Sequence, residues 1–230
     1  MPQILITGAN RGLGLALAQE YAARGWRVRA TCRRPADAVA LHALAQSQPH
    51  VSVHTLDVTA HDTIDALAAE LSGEAIDVLC NNAGIGGGGK GLGELDYAHW
   101  ERVMAVNLLG ALKVSETFLR HVRASAEKKI IAISSSLGSI STTRGGNYAY
   151  RTSKAALNMA MRSLAMDLKE SGVIAAVLSP GIVDTDFTRG ARMPKIPAAE
   201  SAAGLADTIA RMGPEEAGAF IRYNNDIVPW

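Results

Sequence analysis

Seven short apolar runs punctuate this chain, at Ile4 to Ile6, Val28 to Thr31, Val51 to Leu56, Ile76 to Leu79, Ile130 to Ile133, Val173 to Leu178 and, more weakly, Ala219 to Ile221. Longer segments of helical periodicity separate most of them, and this alternation is the pattern of repeated βαβ units. It predicts an α/β fold, a doubly wound parallel sheet of about seven strands with helices on both faces. The clearest helix spans residues 97 to 122, where Trp100, Val103, Met104, Leu108, Ala111, Leu112, Ser115 and Leu119 recur at three- and four-residue spacing. A second spans residues 148 to 171. No repeat, low-complexity linker or shift of composition divides the 230 residues, which read as a single domain. Residues 185 to 212 fit the alternation less well. After Pro180-Gly181 the pattern loosens into Arg189-Gly190-Ala191-Arg192-Met193-Pro194, which predicts a mobile loop and a short helix.

The first apolar run leads straight into Thr7-Gly8-Ala9-Asn10-Arg11-Gly12-Leu13-Gly14, and a helical stretch follows. Glycines in such a turn permit positive φ and let backbone N–H groups approach a pyrophosphate at a helix N-terminus, where the dipole favours anions. The spacing G-x3-G-x-G departs from the G-x-G-x-x-G fingerprint, but its place between strand and helix marks a dinucleotide turn. An NAD-specific site carries Asp or Glu about 20 residues further on, against the ribose 2′-hydroxyl. This sequence has Cys32-Arg33-Arg34 there. A carboxylate repels a 2′-phosphate and a guanidinium pairs with it, so the expected cofactor is NADP, used as NADPH.

On the helix over 148 to 171, the apolar stripe Leu157, Met161, Leu164, Leu168 extends backwards to Lys154 and Tyr150. Four residues apart, the two lie on one face, so the ammonium is expected to stabilise the phenolate and lower the phenol pKa from about 10 towards neutrality. Asn107 interrupts the apolar stripe between Val103 and Leu108, and a buried amide without partners costs about 1 to 3 kcal/mol. Either a satisfied structural Asn or a catalytic one fits that position. Ser134, Ser135 and Ser136 follow the run Ile130 to Ile133, at the carboxyl end of the sheet where ligands bind in open α/β folds.

In chain order, Thr7-Gly8-x3-Gly12-x-Gly14, Asn81-Asn82-Ala83-Gly84, Asn107, the serine cluster, Tyr150-x3-Lys154 and Pro180-Gly181 resemble the motif series of short-chain dehydrogenases/reductases, over nearly the whole chain. Within that family the chain is similar to sniffer-type carbonyl reductases and bacterial C-factor proteins. The shared runs are Tyr150-Arg151-Thr152-Ser153-Lys154-Ala155-Ala156-Leu157-Asn158 and the ending Ile227-Val228-Pro229-Trp230. The resemblance implies a Rossmann-type domain with sheet order 3-2-1-4-5-6-7. It implies that Tyr150 is the general acid, that Lys154 binds the nicotinamide ribose and lowers the Tyr150 pKa, that Ser135 polarises the carbonyl and that Asn107 holds a proton-relay water. For the cofactor it implies a site built from Gly8, Asn10, Arg11, Gly12, Leu13 and Gly14, with Arg11 joining Arg33 at the 2′-phosphate. Asp57 and Val58 would border the adenine, and Asn82, Ala83 and Gly84 would lie along the cofactor. Pro180 and Gly181 would belong to the same site, with Ile182 and Thr185 at the carboxamide. A homodimer or homotetramer through the two long helices is implied as well. In many members the catalytic Ser precedes the Tyr by thirteen positions, which here lands on Leu137. Aligning the run Ile130 to Ile133 and Gly138 selects Ser135 instead and leaves two extra residues in the loop through Arg144-Gly145-Gly146.

Lys and Arg number 23 against 22 Asp and Glu, a net charge of +1, so no global field draws the chain to nucleic acid or an anionic membrane. Hydrophobic residues make up 48% but are broken everywhere by Gly or charge. No uninterrupted stretch reaches the roughly 20 residues of a spanning helix, so no membrane partner is expected. Met1-Pro2-Gln3 ahead of Ile4 lacks the basic flank and long apolar segment of a secretory signal, and the chain is read as cytoplasmic. Cys32 and Cys80 end the second and fourth strands, about 9.6 Å apart across the first, and are expected to stay reduced. His50 and His54 fall on or beside a strand, where four residues span roughly 13 Å, so no metal is expected. Gly86 to Gly89, Gly91 and Gly93 read as a flexible wall of the substrate pocket. The expected function is NADPH-dependent reduction of a small-molecule carbonyl substrate, a ketone, aldehyde or quinone. The alternative is an NADP-binding regulatory or signalling protein with little turnover, against which the intact Asn107, Ser135, Tyr150 and Lys154 argue.

Overall fold

The computed structural model describes every residue except Gly87, Gly89, Lys90 and Ala191. Successive side chains of a strand point to opposite faces, so an apolar run buried on both sides must feed two cores. β1 (Gln3–Ile6) does so in three residues. Ile4 and Ile6 join one cluster with Leu17, Tyr21, Val28, Leu178 and Leu205, while Leu5 joins another with Ile64, Leu79, Phe118, Ile130 and Met161. β2 (Arg27–Cys32), β3 (Val51–Thr55), β4 (Val78–Asn81), β5 (Lys129–Ile133), β6 (Ile174–Ser179) and β7 (Phe220–Arg222) complete a parallel sheet in the order β3-β2-β1-β4-β5-β6-β7. α1 (Gly12–Ala23), α2 (Val39–Ser47) and α7 (Ala198–Arg211) cover the first cluster. α3 (His61–Glu70), α5 (Ala111–Arg123) and α6 (Tyr148–Asp167) cover the second. The result is the expected Rossmann-type arrangement, with the strand order reversing direction between β1 and β4. The carboxyl ends of those two strands frame the crevice in which such sheets bind ligands.

The structure departs from the sequence expectations in three places. β4 begins two residues later than its apolar run, because its register pairs Val78 with Ile4 and Cys80 with Ile6. It therefore includes polar Asn81, whose Nδ2 donates to the Ser115 hydroxyl on α5 at 2.8 Å. The helix expected over 97 to 122 is interrupted. α4 (Tyr97–Met104) starts at Asp96, whose carboxylate accepts the His99 N–H at 2.9 Å, then widens to π-helical geometry over Ala105–Gly110 before resuming as α5. Finally, the short helix expected within 185 to 212 is the fourteen-residue α7. Its buried face is Ser201, Ala202, Leu205, Ala206, Thr208 and Ile209, mostly small residues that bring it close to α1.

Candidate active site

The turn after β1 is fastened to the turn after β4. The Thr7 hydroxyl accepts the N–H groups of Asn82 and Ala83, both at 3.0 Å, and Asn82 Nδ2 donates to the carbonyls of Thr7 and Gly8 at 2.8 and 3.1 Å. Gly14 is required by contact, since a Cβ there would lie 2.3 Å from the Gly8 carbonyl oxygen and 2.5 Å from Asn82 Nδ2. Gly8 is required by conformation, at φ +67°. α1 opens at Gly12 without a side-chain cap and without an acidic residue in its first turn. Its leading N–H groups and the positive end of its dipole are thereby left for an anion. Asn10 and Arg11 are exposed at this rim and Leu13 is half-buried.

Arg33 is exposed and has no ion-pair partner among the described residues, whereas Arg34 is engaged with Asp37 at 3.1 Å. Arg11 lies 4.0 Å from Asp186, which also pairs with Arg189. The Thr185 methyl group faces Gly12, 3.4 Å from where a Cβ would stand. Asp57 turns one carboxylate oxygen onto the Thr59 N–H and hydroxyl at 2.9 and 2.7 Å. Val58 is buried against Gly110, so its side chain packs on the π-helical stretch. Ile182 and Asp184 bond through the backbone to Ile196, and the Pro180 carbonyl accepts the Ser201 hydroxyl at 2.7 Å, which holds residues 180 to 185 on α7.

α6 carries Tyr150 and Lys154 on one buried face. Lys154 Nζ stands 5.8 Å from the Tyr150 ring centre and donates to the Ile133 carbonyl at the end of β5, at 2.8 Å. Burial pushes the Tyr150 phenol up to about 12, with a hydrogen bond from the Ser135 hydroxyl working in the opposite direction. Burial also pushes Lys154 down to about 8. The expected depression of the Tyr150 pKa is thus corrected: removing the phenol from water outweighs the opposing Ser135 hydrogen bond. The three serines separate as the chain leaves β5 at Ile133 and, with Ser135 at its N-cap, enters a 3-10 turn over Ser136–Gly138. Ser134 donates to Asn158 Oδ1 at 2.7 Å in the core, Ser136 donates its N–H to the Ser179 hydroxyl at 3.2 Å, and Ser135 is the one at the phenol.

Asn107 lies in the π-helical stretch and is fully engaged. Its Oδ1 accepts the Ile85 N–H at 2.8 Å, and its Nδ2 donates to the Ile85 carbonyl and the Ser153 hydroxyl, both at 3.0 Å. Ser153 in turn donates to the Tyr150 carbonyl at 2.8 Å. Gly84 presents a bare face to this group, since a Cβ there would be 3.3 Å from Asn107 Oδ1 and 3.7 Å from Lys154 Nζ. Three participants were given no role from the sequence: the Thr7 and Ser153 hydroxyls, which lie within motifs named above, and Phe187, which lies in none. The Phe187 ring is 53% exposed, yet it stands 5.6 Å from the Tyr150 ring and beside Gly86. A cavity of about 210 Å³, lined by Gly88, His99, Trp100 and Tyr148 among others, opens at the amino end of α6. Of the glycine-rich segment expected to wall a substrate pocket, Gly88 lines this cavity, and Gly87 and Gly89 lie outside the described residues.

A family model described as short chain dehydrogenase matches residues 2–195. The C-signal protein of Myxococcus xanthus is 40% identical over 166 residues, covering 72% of this chain and 99% of that protein. The carbonyl reductase Sniffer of D. melanogaster superposes with a TM-score of 0.93 at 31% identity, covering 100% of both chains. An NADPH-bound carbonyl reductase from chicken fatty liver superposes with a TM-score of 0.92 at 32% identity, covering 100% of this chain and 99% of that one.

Proposed function

The chain belongs to the short-chain dehydrogenase family and is an oxidoreductase, and from that premise we propose that it is an NADPH-dependent carbonyl reductase acting on a ketone, aldehyde or quinone. The observation that carries the proposal is that Ser135 reaches the Tyr150 phenol while Lys154, 5.8 Å from the Tyr150 ring centre, and the Asn107 brace both border the bare face of Gly84. The same face fits a nicotinamide cofactor, as does the open N-terminus of α1. Gly8, Asn10, Arg11, Gly12, Leu13 and Gly14 would hold the phosphates, with Arg33 and Arg11 at the 2′-phosphate and Asp57 and Val58 at the adenine. Asn82, Ala83, Gly84, Pro180, Gly181, Ile182 and Thr185 would line the rest. When bound, NADPH supplies the hydride.

Tyr150 then donates its phenolic proton to the carbonyl oxygen, and its raised pKa keeps that proton in place at neutral pH. Ser135 donates a hydrogen bond to the same oxygen, where charge develops. Lys154, steered by the Ile133 carbonyl, keeps further N–H groups for the nicotinamide ribose. A protonated phenol suits reduction, whereas alcohol oxidation needs the phenolate and is favoured only at high pH. The likeness to C-signal supports a second reading, a cofactor-binding signalling protein with little turnover. We propose further a single domain, from the undivided composition, a cytoplasmic location, from the N-terminal sequence, and a homodimer or homotetramer, from the family likeness; no helix among the described residues is long and apolar enough to cross a membrane. NADPH consumption across a panel of ketones, aldehydes and quinones tests the reductase, with Tyr150→Phe expected to lose about 10²- to 10⁴-fold in kcat while still binding NADPH. A wild-type protein that binds NADPH and reduces none of the panel leaves the signalling reading.

A further inference from the structure

Residues Ile227–Trp230 have no part in the chemistry above, yet the fold returns them to the loop that joins Ser135 to Tyr150. After β7 the chain reverses, with the Arg222 N–H on the Asp226 carbonyl and the Val228 N–H on the Phe220 carbonyl, both at 2.8 Å. Trp230 is then held three ways. Its ring lies 5.4 Å from the Phe220 ring, the Arg162 guanidinium sits 5.7 Å from the indole centre, and its main-chain oxygen accepts the Ser141 N–H at 2.9 Å. Arg162 belongs to α6 and also donates to the Gly218 carbonyl at 2.8 Å. One residue thus touches β7, the catalytic helix and the loop leading into it.

Beyond Leu137 and Gly138, whose carbonyls accept hydrogen bonds from Arg151 and Asn158 of α6 at 3.4 and 3.3 Å, that loop has little other hold. Among the described residues, the hydrogen bonds of Ser139 to Gly146 stay within the loop or reach back to Ser136, except for the one to Trp230. Ser141 to Gly146 are exposed, and Gly145, Gly146 and Asn147 follow one another at positive φ. Asn147, at the N-cap of α6, makes no side-chain capping bond. An uncapped helix end on a weakly tied loop is prone to fray, and Tyr150 is the third residue of that helix. We propose that Trp230 is a positioning residue: by tying Ser141 and Arg162 to β7 it keeps the first turn of α6, and with it the Tyr150 hydroxyl, in place against Ser135. Its effect on turnover rests on the reductase reading above; its hold on the loop does not.

The test combines amide hydrogen exchange and NADPH-dependent turnover in the intact protein, Trp230→Ala, Trp230→Phe and Arg162→Met. Trp230→Ala is expected to speed exchange over residues 140 to 151 by about tenfold or more while leaving β1 to β5 unchanged. It should lower kcat roughly three- to tenfold, with the KM for NADPH within about twofold, since misplacing a reacting group costs rate more than binding. Trp230→Phe, which keeps a ring for Phe220 and Arg162, should recover most of both, and Arg162→Met should loosen the same amides. General destabilisation would instead speed exchange throughout and leave kcat intact well below the melting temperature, which overturns the proposal. So does unchanged exchange over 140 to 151 in Trp230→Ala. A wild-type protein without carbonyl turnover removes the reductase reading alone, and the exchange pattern still decides whether Trp230 holds the loop.

Discussion

Asn107→Ala removes three hydrogen bonds at once: the Ile85 N–H at 2.8 Å, and the Ile85 carbonyl and Ser153 hydroxyl at 3.0 Å each. Net contributions of about 0.5 to 1.5 kcal/mol per bond add to roughly 3 kcal/mol. In a chain of this size 1 kcal/mol moves the melting temperature by about 2 to 4 °C, so the variant should melt roughly 6 to 12 °C lower. Because Gly84 lies against Asn107 Oδ1, NADPH binding should weaken as the loop after β4 is released. Asn107→Asp sharpens the test. A carboxylate still accepts the Ile85 N–H but faces the Ile85 carbonyl with an oxygen in place of a donor. Ionisation is disfavoured there, so the carboxyl pKa is raised in the folded state and the deficit should shrink as pH falls and the acid regains its O–H. Thermal unfolding of the three proteins across pH, with and without NADPH, reads these effects. A shift under about 2 °C for Asn107→Ala would refute the reasoning, because it would mean that water replaces all three partners at no cost.

Arg33→Ala should weaken NADPH use about tenfold or more while sparing NADH, since one charge-assisted pair is worth roughly 1.5 to 3 kcal/mol; equal wild-type efficiency with both cofactors would contradict it. Ser135→Ala should lower kcat by about 10²- to 10³-fold. Ser134→Ala should instead lower the melting temperature through loss of the Asn158 bond, and a larger kcat loss at Ser134 than at Ser135 would reverse the assignment. Lys154 gives up its proton with a pKa of about 8 while Tyr150, at about 12, keeps its own, so carbonyl reduction measured as kcat/KM should hold at neutral pH and fall as pH rises through about 8. A profile flat from about pH 7 to about pH 10 would show that the ammonium charge is not needed.

The strands were legible because full burial on both faces demands runs of apolar residues, and their order followed from the family resemblance rather than from the runs themselves. β4 slipped by two residues because pairing with β1, not hydropathy, decides where a strand ends, and Asn81 is tolerated once Ser115 partners it. α7 looked short because Leu205 and Ile209 are the only large apolar residues on a buried face otherwise made of Ala, Ser and Thr, which leaves a weak apolar period over its first two turns. Tyr150 and Lys154 were legible as polar groups on an apolar stripe, whereas the direction of the Tyr150 shift depends on how deeply the stripe is covered, which spacing does not express. Phe187 stands alone in a loop, and only the folded chain brings it to Tyr150.

The π-helical stretch at Ala105–Gly110 acts on the angular phase of a long rod. α4, before it, packs on α6, while α5, after it, packs on α3 and β4. Each residue of an α-helix turns the next by about 100°, so a bond pattern reaching one residue further resets which direction every later side chain faces. Were the same residues wound as an ordinary α-helix with none removed, Val114 and Phe118 would swing away from the sheet by about 100°, whereas deleting one residue between 105 and 110 would let the rod run straight with their facing kept. Where such a vernier is set, the two ends of one helix can serve different neighbours, the amino half the catalytic helix and the carboxyl half the core, with Asn107 at the point of adjustment.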